Sequence, residues 1–301
     1  MNLPSIRQLQ YFLAVYEQRH FAQAAERCFV TQSTLSSGIQ ELESLLDTQL
    51  FERSKRKVLP TAKGEQIVKI AQEILNLSTQ LVEQAKGSDK PLSGPLKIGV
   101  IPTIGPFLLP MVLPSVREIF PDLQLYLIED QSSRLLERLN SGDIDCAIFA
   151  LPYDIGNMEY YPFWEESFWV ALPKNHPLSG GAAIQSIDLP ESELLLLEEG
   201  HCFRDHALSA CQKPGLKTSG VFQGTSLYTL IEMVAGGQGI TLLPEMAIKS
   251  NSVQQSGVSL RALSDKGPHR EISIVYRPNF YRLDDIKLLA ETMRSALQKA
   301  H

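Results

Sequence analysis

The amino-acid sequence predicts an α/β protein in two parts, a small helical N-terminal unit and a larger C-terminal unit of two α/β lobes. In the first 60 residues, apolar side chains recur at the three- and four-residue spacing of short helices. Residues 61–86 form one longer helical pattern, and residues 87–95 have the Gly, Ser and Pro content of a hinge. Short apolar runs then alternate with helical segments over residues 96–301, the pattern of strands and helices packed in layers.

The composition indicates a globular protein. The chain has 301 residues, of which 44% are hydrophobic and 21% are charged. It has no apolar run near the ~20 residues that a membrane span requires, and its first residues lack the apolar core of a secretory signal. Four cysteines are too few for a disulfide scaffold of this length. We therefore expect a soluble, cytoplasmic protein that has free thiols and does not bind membranes.

The first unit is predicted to contain three short helices. The segment 6–18 carries an apolar stripe, and the segment 21–27 is short and rich in alanine. Thr31 suits the N-cap of the third helix, because its hydroxyl can accept a hydrogen bond from an N–H group of the first turn. The residues that this helix would bury are Leu35, Ile39, Leu42 and Leu46.

Two helices joined by a tight turn are typical of a helix-turn-helix, whose second helix enters the major groove of DNA. The polar side chains that would face the bases are Gln32, Ser33, Thr34, Ser36, Ser37 and Gln40. Glutamine can pair with adenine through two hydrogen bonds, and serine is short enough to allow close approach. A generic helical hairpin would give the same pattern, so these residues alone leave both interpretations open.

A basic cluster follows the third predicted helix, where a winged variant of the motif would place a β-hairpin against phosphates. Its members are Arg53, Lys55, Arg56 and Lys57. The net charge of the chain is −6, but residues 1–90 contain 11 Lys and Arg against 10 Asp and Glu, whereas the rest contain 17 against 24. The acidity therefore belongs to the second unit, and local positive charge in the first can still bind DNA.

The long helix predicted over 61–86 has one narrow apolar seam. Its members are Ile67, Ile70, Ala71, Ile74, Leu77, Leu81 and Ala85. A seam of this width and length favours a helix that pairs with a copy of itself, which predicts a homodimer. Packing of the helix on its own domain is the alternative.

Beyond the hinge, the alternation predicts a largely parallel sheet with helices on both faces, divided into two lobes with a cleft between them. The predicted strands are 96–101, 123–128, 145–149, 168–172, 194–197, 239–243 and 272–276. The predicted helices are 107–120, 133–140, 226–235 and 283–298.

The segment 198–211 has an unusual concentration of chemically active side chains. A helix is predicted to start near His201, so Cys202 would lie at its N-terminus beside His201 and Arg204. The helix dipole and positive neighbours lower the pKa of a thiol, and a thiolate is the form that attacks peroxide. His206, one turn later, would add to the same effect.

Two other interpretations of this segment remain open. Cys202 and Cys211 could be buried fillers, as we expect for Cys28 and Cys146 in their apolar runs. The two histidines and two cysteines of the segment could instead bind a metal, but their spacing fits no familiar zinc pattern. We predict no metal and no cofactor.

Several motifs of the first unit stand in a fixed register. They are 21–26 (Phe-Ala-Gln-Ala-Ala-Glu), 31–36 (Thr-Gln-Ser-Thr-Leu-Ser), Ile39, 42–43 (Leu-Glu), 50–53 (Leu-Phe-Glu-Arg) and 61–64 (Thr-Ala-Lys-Gly). With these residues the chain resembles the LysR-type transcriptional regulators, and the resemblance runs over its whole length. Ser33 and Pro60 depart from the Pro and Leu of many relatives.

The resemblance implies a winged helix-turn-helix DNA-binding domain at 1–60, a dimerising linker helix at 61–86, a hinge at 87–95 and a two-lobed, periplasmic-binding-protein-like sensor domain at 96–301. It also implies a homotetramer that binds double-stranded promoter DNA and recruits RNA polymerase. Such a protein is a regulator and not an enzyme.

Within this family, the sensor segment is similar to the OxyR hydrogen peroxide sensors. The matching residues are 200–202 (Gly-His-Cys), 204–205 (Arg-Asp) and Cys211, together with 101–106 and 275–278. Phe203 and His206 stand where the subgroup usually has Leu and Gln. By this resemblance peroxide oxidises Cys202, which forms a disulfide with Cys211. Thr103 and His201 would hold the peroxide, and Ser132 stands where the subgroup usually has Thr.

If Cys202 and Cys211 lie in one helix, they are separated by about 13 Å along its axis, at ~1.5 Å per residue. A disulfide requires Cα atoms within about 7 Å of each other. The implied disulfide therefore requires the helix to unwind, which would convert oxidation into a change of shape.

Two further functions remain as alternatives. One is a LysR-type regulator that binds a small organic effector in the interlobe cleft, lined by family analogy with Thr103, Ser132 and Thr225. The other is a thiol peroxidase whose N-terminal region is incidental.

Overall fold

The computed structural model describes residues 2–53, 58–86, 90–181, 183–210, 223–224, 226–264, 270–278 and 280–300. The chain forms two compact units, Met1–Gly87 and Ser88–His301. Among the described helices, none has both the length and the apolar content needed to cross a membrane.

The first unit consists of helices and one β-hairpin. In chain order these are α1 Ile6–Gln18, α2 Phe21–Arg27, α3 Gln32–Leu45, β1 Phe51–Arg53, β2 Val58–Pro60 and α4 Ala62–Lys86. The predicted ranges of α1 and α2 are confirmed. The predicted N-cap of α3 is also confirmed, because the Thr31 hydroxyl accepts a hydrogen bond from the Thr34 N–H at 3.2 Å.

The hairpin is held against α3 by one carboxylate. Glu43 Oε1 accepts hydrogen bonds from the backbone N–H groups of Leu50 at 2.8 Å and Phe51 at 3.2 Å. The two strands pair antiparallel, with Arg53 opposite Val58. The winged form of the motif is therefore present, and its tip, 54–57, lies outside the described residues.

The described part of the second unit contains two larger sheets and one two-stranded sheet, with helices around them. Its strands are β3 Gly94–Val100, β4 Leu123–Glu129, β5 Cys146–Leu151, β6 Glu159–Glu166, β7 Phe168–Leu172, β8 Leu196–Leu197, β9 Gln223–Gly224, β10 Thr241–Pro244, β11 Ser259–Ala262 and β12 Arg270–Tyr276. Its helices are α5 Gly105–Ile119, α6 Ser132–Ser141, α7 Cys202–Ala210, α8 Leu227–Ala235, α9 Glu245–Ile248, α10 Asn251–Gln255 and α11 Leu283–Ala300.

Each lobe is built on one of the two larger sheets, and the two-stranded sheet pairs β8 with β9. The first lobe has the strand order β4-β3-β5-β12-β6 and the second has β10-β7-β11. The prediction of a largely parallel sheet was wrong: β3 pairs parallel with β4 and β5, but β12 runs antiparallel to β5 and β6, and β7 antiparallel to β10 and β11. The reason is that the chain leaves the first lobe through β6 and returns through β12, so these strands run in opposite directions.

The chain passes between the two lobes twice, and strand pairing brings the residues beside the two passages together. The first runs from β6 into β7 and the second from β11 into β12, and the register pairs Arg270 with Glu166. Both side chains are fully buried. A buried charged pair therefore lies where the chain passes between the two lobes, and the candidate site surrounds this pair.

Candidate functional site

Three of the residues predicted for the sensor site lie buried at the ends of different elements. Cys202 is the first residue of α7 and is only 2% exposed, and Ser132 is the first residue of α6. Thr103 lies in the loop between β3 and α5 and is equally buried. The helix N-termini favour negative charge at this point, since their N–H groups carry partial positive charge.

The positive charge of the site belongs to Arg270, which sequence reasoning missed. Its Nε donates to Glu166 Oε1 at 2.6 Å, and Glu166 Oε2 in turn accepts from the Met246 N–H at 2.9 Å. The guanidinium also donates to the Thr103 hydroxyl at 3.2 Å and to the Thr103 carbonyl at 3.1 Å. Arg270 is therefore held rigidly between the two lobes.

Two aromatic rings enclose this guanidinium. Its carbon lies 5.9 Å from the centre of the Phe168 ring and 5.4 Å from that of Phe203. The two rings meet edge to face at 5.1 Å. Because Phe203 directly follows Cys202, the aromatic pair ties the first turn of α7 to the charge. Such packing excludes water and strengthens the electrostatic effect of Arg270.

The prediction that the thiol pKa of Cys202 is lowered was wrong in its direction. Burial raises the pKa of the Cys202 thiol, and this is the largest effect. The Ser132 hydroxyl, the charge of Arg270 and the Ala150 backbone oppose it and lower the pKa, while Asp205 raises it. The thiol therefore lies in a dry site whose polar neighbours favour the thiolate.

Ser132 has a property that suits a small polar ligand. Its hydroxyl is buried and has no ordinary hydrogen-bond partner in the described part of the chain. A buried hydroxyl without a partner is unfavourable by about 1–3 kcal/mol, so such a group is satisfied when a polar molecule enters. The Ser132 hydroxyl also acts on the Cys202 thiol, whose pKa it lowers.

The two histidines do not supply the positive charge that the sequence predicted. Burial lowers the pKa of His206 to about 4, and it lowers the pKa of His201 as well. Both imidazoles are therefore neutral near pH 7. His206 Nε2 lies 2.6 Å from the Pro152 carbonyl, while its buried Nδ1 has no partner among the described residues. The predicted role of His206 in thiolate formation is corrected accordingly.

Arg204 also acts differently from the prediction. It is buried, and its guanidinium donates to the Leu197 carbonyl at 3.2 Å, so it braces the turn that leads into α7. The cation that lowers the pKa of Cys202 is Arg270 and not Arg204. The sequence could not reveal this, since charged residues at the start of a strand are normally solvated.

A further residue missed by sequence reasoning is Gln131, the N-cap residue of α6. Its amide nitrogen lies 3.0 Å from Glu198 Oε1 and 3.2 Å from His201 Nε2. An amide that donates to this nitrogen fixes the neutral tautomer with its proton on Nδ1. The contact connects the first lobe to the turn that precedes Cys202.

Two residues predicted for the sensor site lie outside the described residues, Cys211 and Thr225. The predicted pairing of Cys202 with Cys211 therefore stays a prediction. Cys202 is a free thiol in this structure. Across the described ranges, no group of three or more His, Cys, Asp or Glu is placed to hold a metal ion.

The predicted DNA-reading residues of α3, apart from Thr34, share one face of the helix. Ser36 is half-buried and the others are exposed, namely Gln32, Ser33, Thr34, Ser37 and Gln40. Arg53 lies on β1, while Lys55, Arg56 and Lys57 lie outside the described residues. A Cβ at Gly38, on the opposite face, would be 2.7 Å from the Tyr11 ring. This close approach of α1 fixes which face of α3 is presented outward.

Helix α4 has two apolar faces. One packs on the core of the first unit through Ile67, Ala71 and Leu75. The other is exposed, with the four- and three-residue spacing of a helix pair, and contains Ile70, Ile74, Leu77 and Leu81.

Comparisons with known proteins agree with this architecture. A family model described as bacterial regulatory helix-turn-helix protein, lysR family, matches residues 6–65, and one described as LysR substrate binding domain matches residues 89–298. The DNA-binding transcriptional dual regulator OxyR of Escherichia coli K12 is 40% identical over 293 residues, which is 97% of this chain and 96% of the relative.

Two solved structures are similar over nearly the whole chain. Full-length OxyR of Pseudomonas aeruginosa with a cysteine-to-aspartate substitution is 37% identical, with a TM-score of 0.76, and the match covers 97% of this chain and 98% of that one. A cysteine-to-serine variant of Corynebacterium glutamicum OxyR with hydrogen peroxide bound is 34% identical, with a TM-score of 0.66 and coverage of 99% and 94%. The chain belongs to the LysR family of bacterial regulators, which bind DNA as oligomers and are not enzymes.

Proposed function

We propose that this chain is a transcriptional regulator of the OxyR type, which senses hydrogen peroxide through Cys202 and responds by forming a disulfide with Cys211. The observation that carries the proposal is the surroundings of Cys202. A thiol at a helix N-terminus lies in a dry site, where the buried Ser132 hydroxyl and the charge of Arg270 both lower its pKa. Such a site suits a small, neutral, hydrogen-bonding oxidant.

Hydrogen peroxide fits these groups one by one. The Ser132 hydroxyl, which has no ordinary partner in the described residues, can bond to one peroxide oxygen. The Thr103 oxygen accepts from Arg270, so its own proton can be donated to the peroxide. Neutral His201, which directly precedes Cys202, would add a further hydrogen bond, as in the family resemblance. Together these residues would hold the O–O bond near the Cys202 sulfur.

The proposed reaction has two balanced steps. The Cys202 thiolate attacks one peroxide oxygen, the O–O bond breaks, and the departing hydroxide takes up the proton that the thiol released, giving a sulfenic acid and water. The Cys211 thiol then attacks the sulfenic sulfur, forming the S–S bond and releasing a second water. Arg270 would favour the first step by stabilising the thiolate and the developing hydroxide.

The proposed action on DNA uses the first unit. The exposed polar face of α3 would read bases in the major groove, while Arg53, Lys55, Arg56 and Lys57 of the wing would contact phosphates. The exposed seam of α4 supports a homodimer, and the family supports a homotetramer that recruits RNA polymerase. A regulator that works on promoter DNA in bacteria is expected in the cytoplasm.

The proposal is tested by treating the protein with one equivalent of hydrogen peroxide and mapping disulfides by mass spectrometry. We expect a Cys202–Cys211 bond and an altered DNA footprint, both absent in Cys202→Ser and both retained in Cys146→Ser. Oxidation without a change of footprint would favour an organic effector as the signal. Sustained peroxide turnover with a thiol donor and without DNA affinity would favour a peroxidase.

A further inference from the structure

Gln131 occupies the N-cap of α6, but its side chain forms no hydrogen bond with the N–H groups of that helix. Ser, Thr, Asp and Asn usually hold this position, because their short side chains reach back to a free N–H. The longer side chain of Gln131 instead extends to the turn 198–201, which links β8 to α7. Its contacts therefore serve that turn and not the end of α6.

The turn is shaped to receive the Gln131 amide. Gly200 has a φ of 98°, a conformation that L side chains rarely adopt. A Cβ at Gly200 would lie 3.3 Å from Gln131 Oε1, so glycine also leaves room for the amide oxygen. The residues on either side of this glycine's turn, Glu198 and His201, both contact the amide nitrogen.

These two contacts fix which end of the amide is the donor. Glu198 Oε1 lies 3.0 Å from the amide nitrogen, and a carboxylate accepts hydrogen bonds but has no proton to give. The nitrogen of Gln131 must therefore face Glu198. Its second N–H then donates to His201 Nε2 at 3.2 Å. A ring nitrogen that accepts carries no proton, so the neutral imidazole has its proton on Nδ1.

Glu198 acts on the imidazole through Gln131 and not directly. Glu198 Oε1 lies 3.9 Å from His201 Nε2, which is too far for a hydrogen bond. A carboxylate bonded directly to Nε2 would require a proton on that nitrogen, which is the opposite tautomer. The amide between the two residues therefore decides which ring nitrogen of His201 carries the proton.

We propose that Gln131 is a positioning residue for the oxidation of Cys202: held by Glu198, it keeps the proton of His201 on Nδ1. The inference rests on the proposed function. Nδ1 is the ring nitrogen nearer the main chain, and all side-chain contacts of His201 within the described chain involve Nε2, so the Nδ1–H is available. It can donate to the peroxide oxygen that departs as hydroxide, whereas the other tautomer would offer only a lone pair.

The test exchanges the two residues that orient the imidazole. In Gln131→Glu/Glu198→Gln the carboxylate and the amide trade places, so the net charge and a hydrogen bond between them are both retained. The carboxylate beside His201 Nε2 then requires a proton on that nitrogen, and Nδ1 loses its own. The full-length proteins are compared at about pH 8.5, where an imidazole is neutral.

Solid-state ¹⁵N NMR of the reduced protein, labelled with histidine that carries ¹⁵N only at Nδ1, detects this proton directly. The chain has six histidines, and the His201 signal is the one lost in His201→Gln. We expect a protonated Nδ1 in the wild type and an unprotonated Nδ1 in the exchange variant.

Stopped-flow oxidation by hydrogen peroxide measures the consequence for Cys202. We expect the exchange variant to react about tenfold more slowly, the effect of one lost hydrogen bond in the transition state. Gln131→Met keeps the side-chain length but frees both tautomers, so its rate should lie between the two. Gln124→Glu is the control, because it adds a carboxylate at an exposed position of the first lobe and should react like the wild type.

Two results would overturn the inference. One is an unprotonated Nδ1 in the wild type. The other is a wild-type oxidation rate in the exchange variant, which would show that the contact between Gln131 and Glu198 serves structure alone. If peroxide fails to oxidise Cys202 even in the wild type, the proposed function fails and the role of Gln131 in that reaction fails with it. The NMR signal separates this case, since it reports the tautomer without peroxide.

Discussion

Cys202 and Cys146 are both buried thiols of the same unit, yet their surroundings differ in kind. Cys146 starts β5 in the centre of a sheet, between Ile98 of β3 and Tyr276 of β12. Burial raises the pKa of its thiol far above the usual range and Asp145 raises it further, while the charges of Arg277 and Arg282 lower it without offsetting the burial. Burial also raises the pKa of Cys202, but a hydroxyl, a guanidinium and the Ala150 backbone oppose the effect there.

The comparison teaches that burial alone does not decide whether a thiol reacts. The thiol of Cys146 lies inside a sheet, and the cations that act on it do not offset its burial. A thiol at a helix N-terminus beside fixed polar groups can be dry and reactive at once, because the surrounding dipoles replace water. Among the neighbours that lower the pKa of Cys202, the Ser132 hydroxyl has the largest effect and Arg270 supplies the cation.

The largest expected effect follows from removing that cation. Arg270→Gln leaves Glu166 buried without a positive partner, so we expect the free energy of unfolding to fall by about 3–5 kcal/mol. Glu166→Gln combined with Arg270→Gln should recover most of this loss, since no buried charge remains. Urea unfolding of the two variants measures the difference. Equal stability of the single and double variants would show that Arg270 and Glu166 are not energetically coupled.

The next largest expected effect is the dependence of stability on pH that the burial of His206 causes. Burial lowers the pKa of His206 to about 4, so between pH 6.5 and 4 the unfolded chain binds a proton that the folded chain does not. Stability is therefore lost as the pH falls through this window, by about 2 kcal/mol between pH 7.5 and pH 5. His206→Gln should remove that part of the acid loss.

The same variant tests whether His206 contributes charge to the thiol. Because the imidazole is neutral, His206→Gln should leave the rate of Cys202 oxidation at pH 7.5 within about twofold of wild type. Stopped-flow oxidation and urea unfolding at both pH values check the two statements. A tenfold slower oxidation would contradict this account, because it would show that His206 contributes to the reactivity of Cys202.

The double variant of Arg270 and Glu166, although close to wild type in stability, should oxidise more slowly at Cys202. Without the guanidinium, the Cys202 thiolate loses its nearest cation, and an upward shift of one pKa unit means tenfold less thiolate at neutral pH. We expect oxidation by peroxide to slow at least tenfold at pH 7, and the loss to shrink as the pH rises. Cys146 in the same protein should show no change.

Ser132→Ala should give the smallest effect. Removing a buried hydroxyl without an ordinary partner should not destabilise the fold, but it removes one hydrogen bond to peroxide. We expect oxidation of Cys202 to slow about threefold to tenfold with unchanged unfolding. Ser132→Thr is the matched control that keeps the hydroxyl. Normal oxidation in the alanine variant would exclude Ser132 from the site.

The sequence predicted the local structure of the first unit well because that structure depends on short-range signals. The stripes of α1 and α2 and the Thr31 cap all lie within one segment each. It did not predict β6, whose Pro162 interrupts the strand pattern and is tolerated because β6 forms an edge of its sheet. Nor did the sequence predict that β12 pairs antiparallel with β5 and β6.

The chemistry of the site was predicted only in part. Cys202, Ser132 and Thr103 came from motifs, but Arg270 and Glu166 lie 104 residues apart and meet only through strand register. The sequence predicted that His201 and His206 would help to lower the thiol pKa. This was wrong, because burial lowers the pKa of both imidazoles and leaves them neutral near pH 7. That burial arises where α7 packs on the end of β5, with His206 against Pro152, a long-range contact.

The central claim is that fixed polar neighbours make Cys202 reactive while Cys146, equally buried, is inert. One sample of the folded, reduced protein, treated with limiting hydrogen peroxide and quenched with an alkylating reagent at successive times, measures both thiols by mass spectrometry. We predict that Cys202 is oxidised at least a hundredfold faster than Cys146, and that the ratio falls toward one after denaturation. Similar rates in the folded protein would contradict the account.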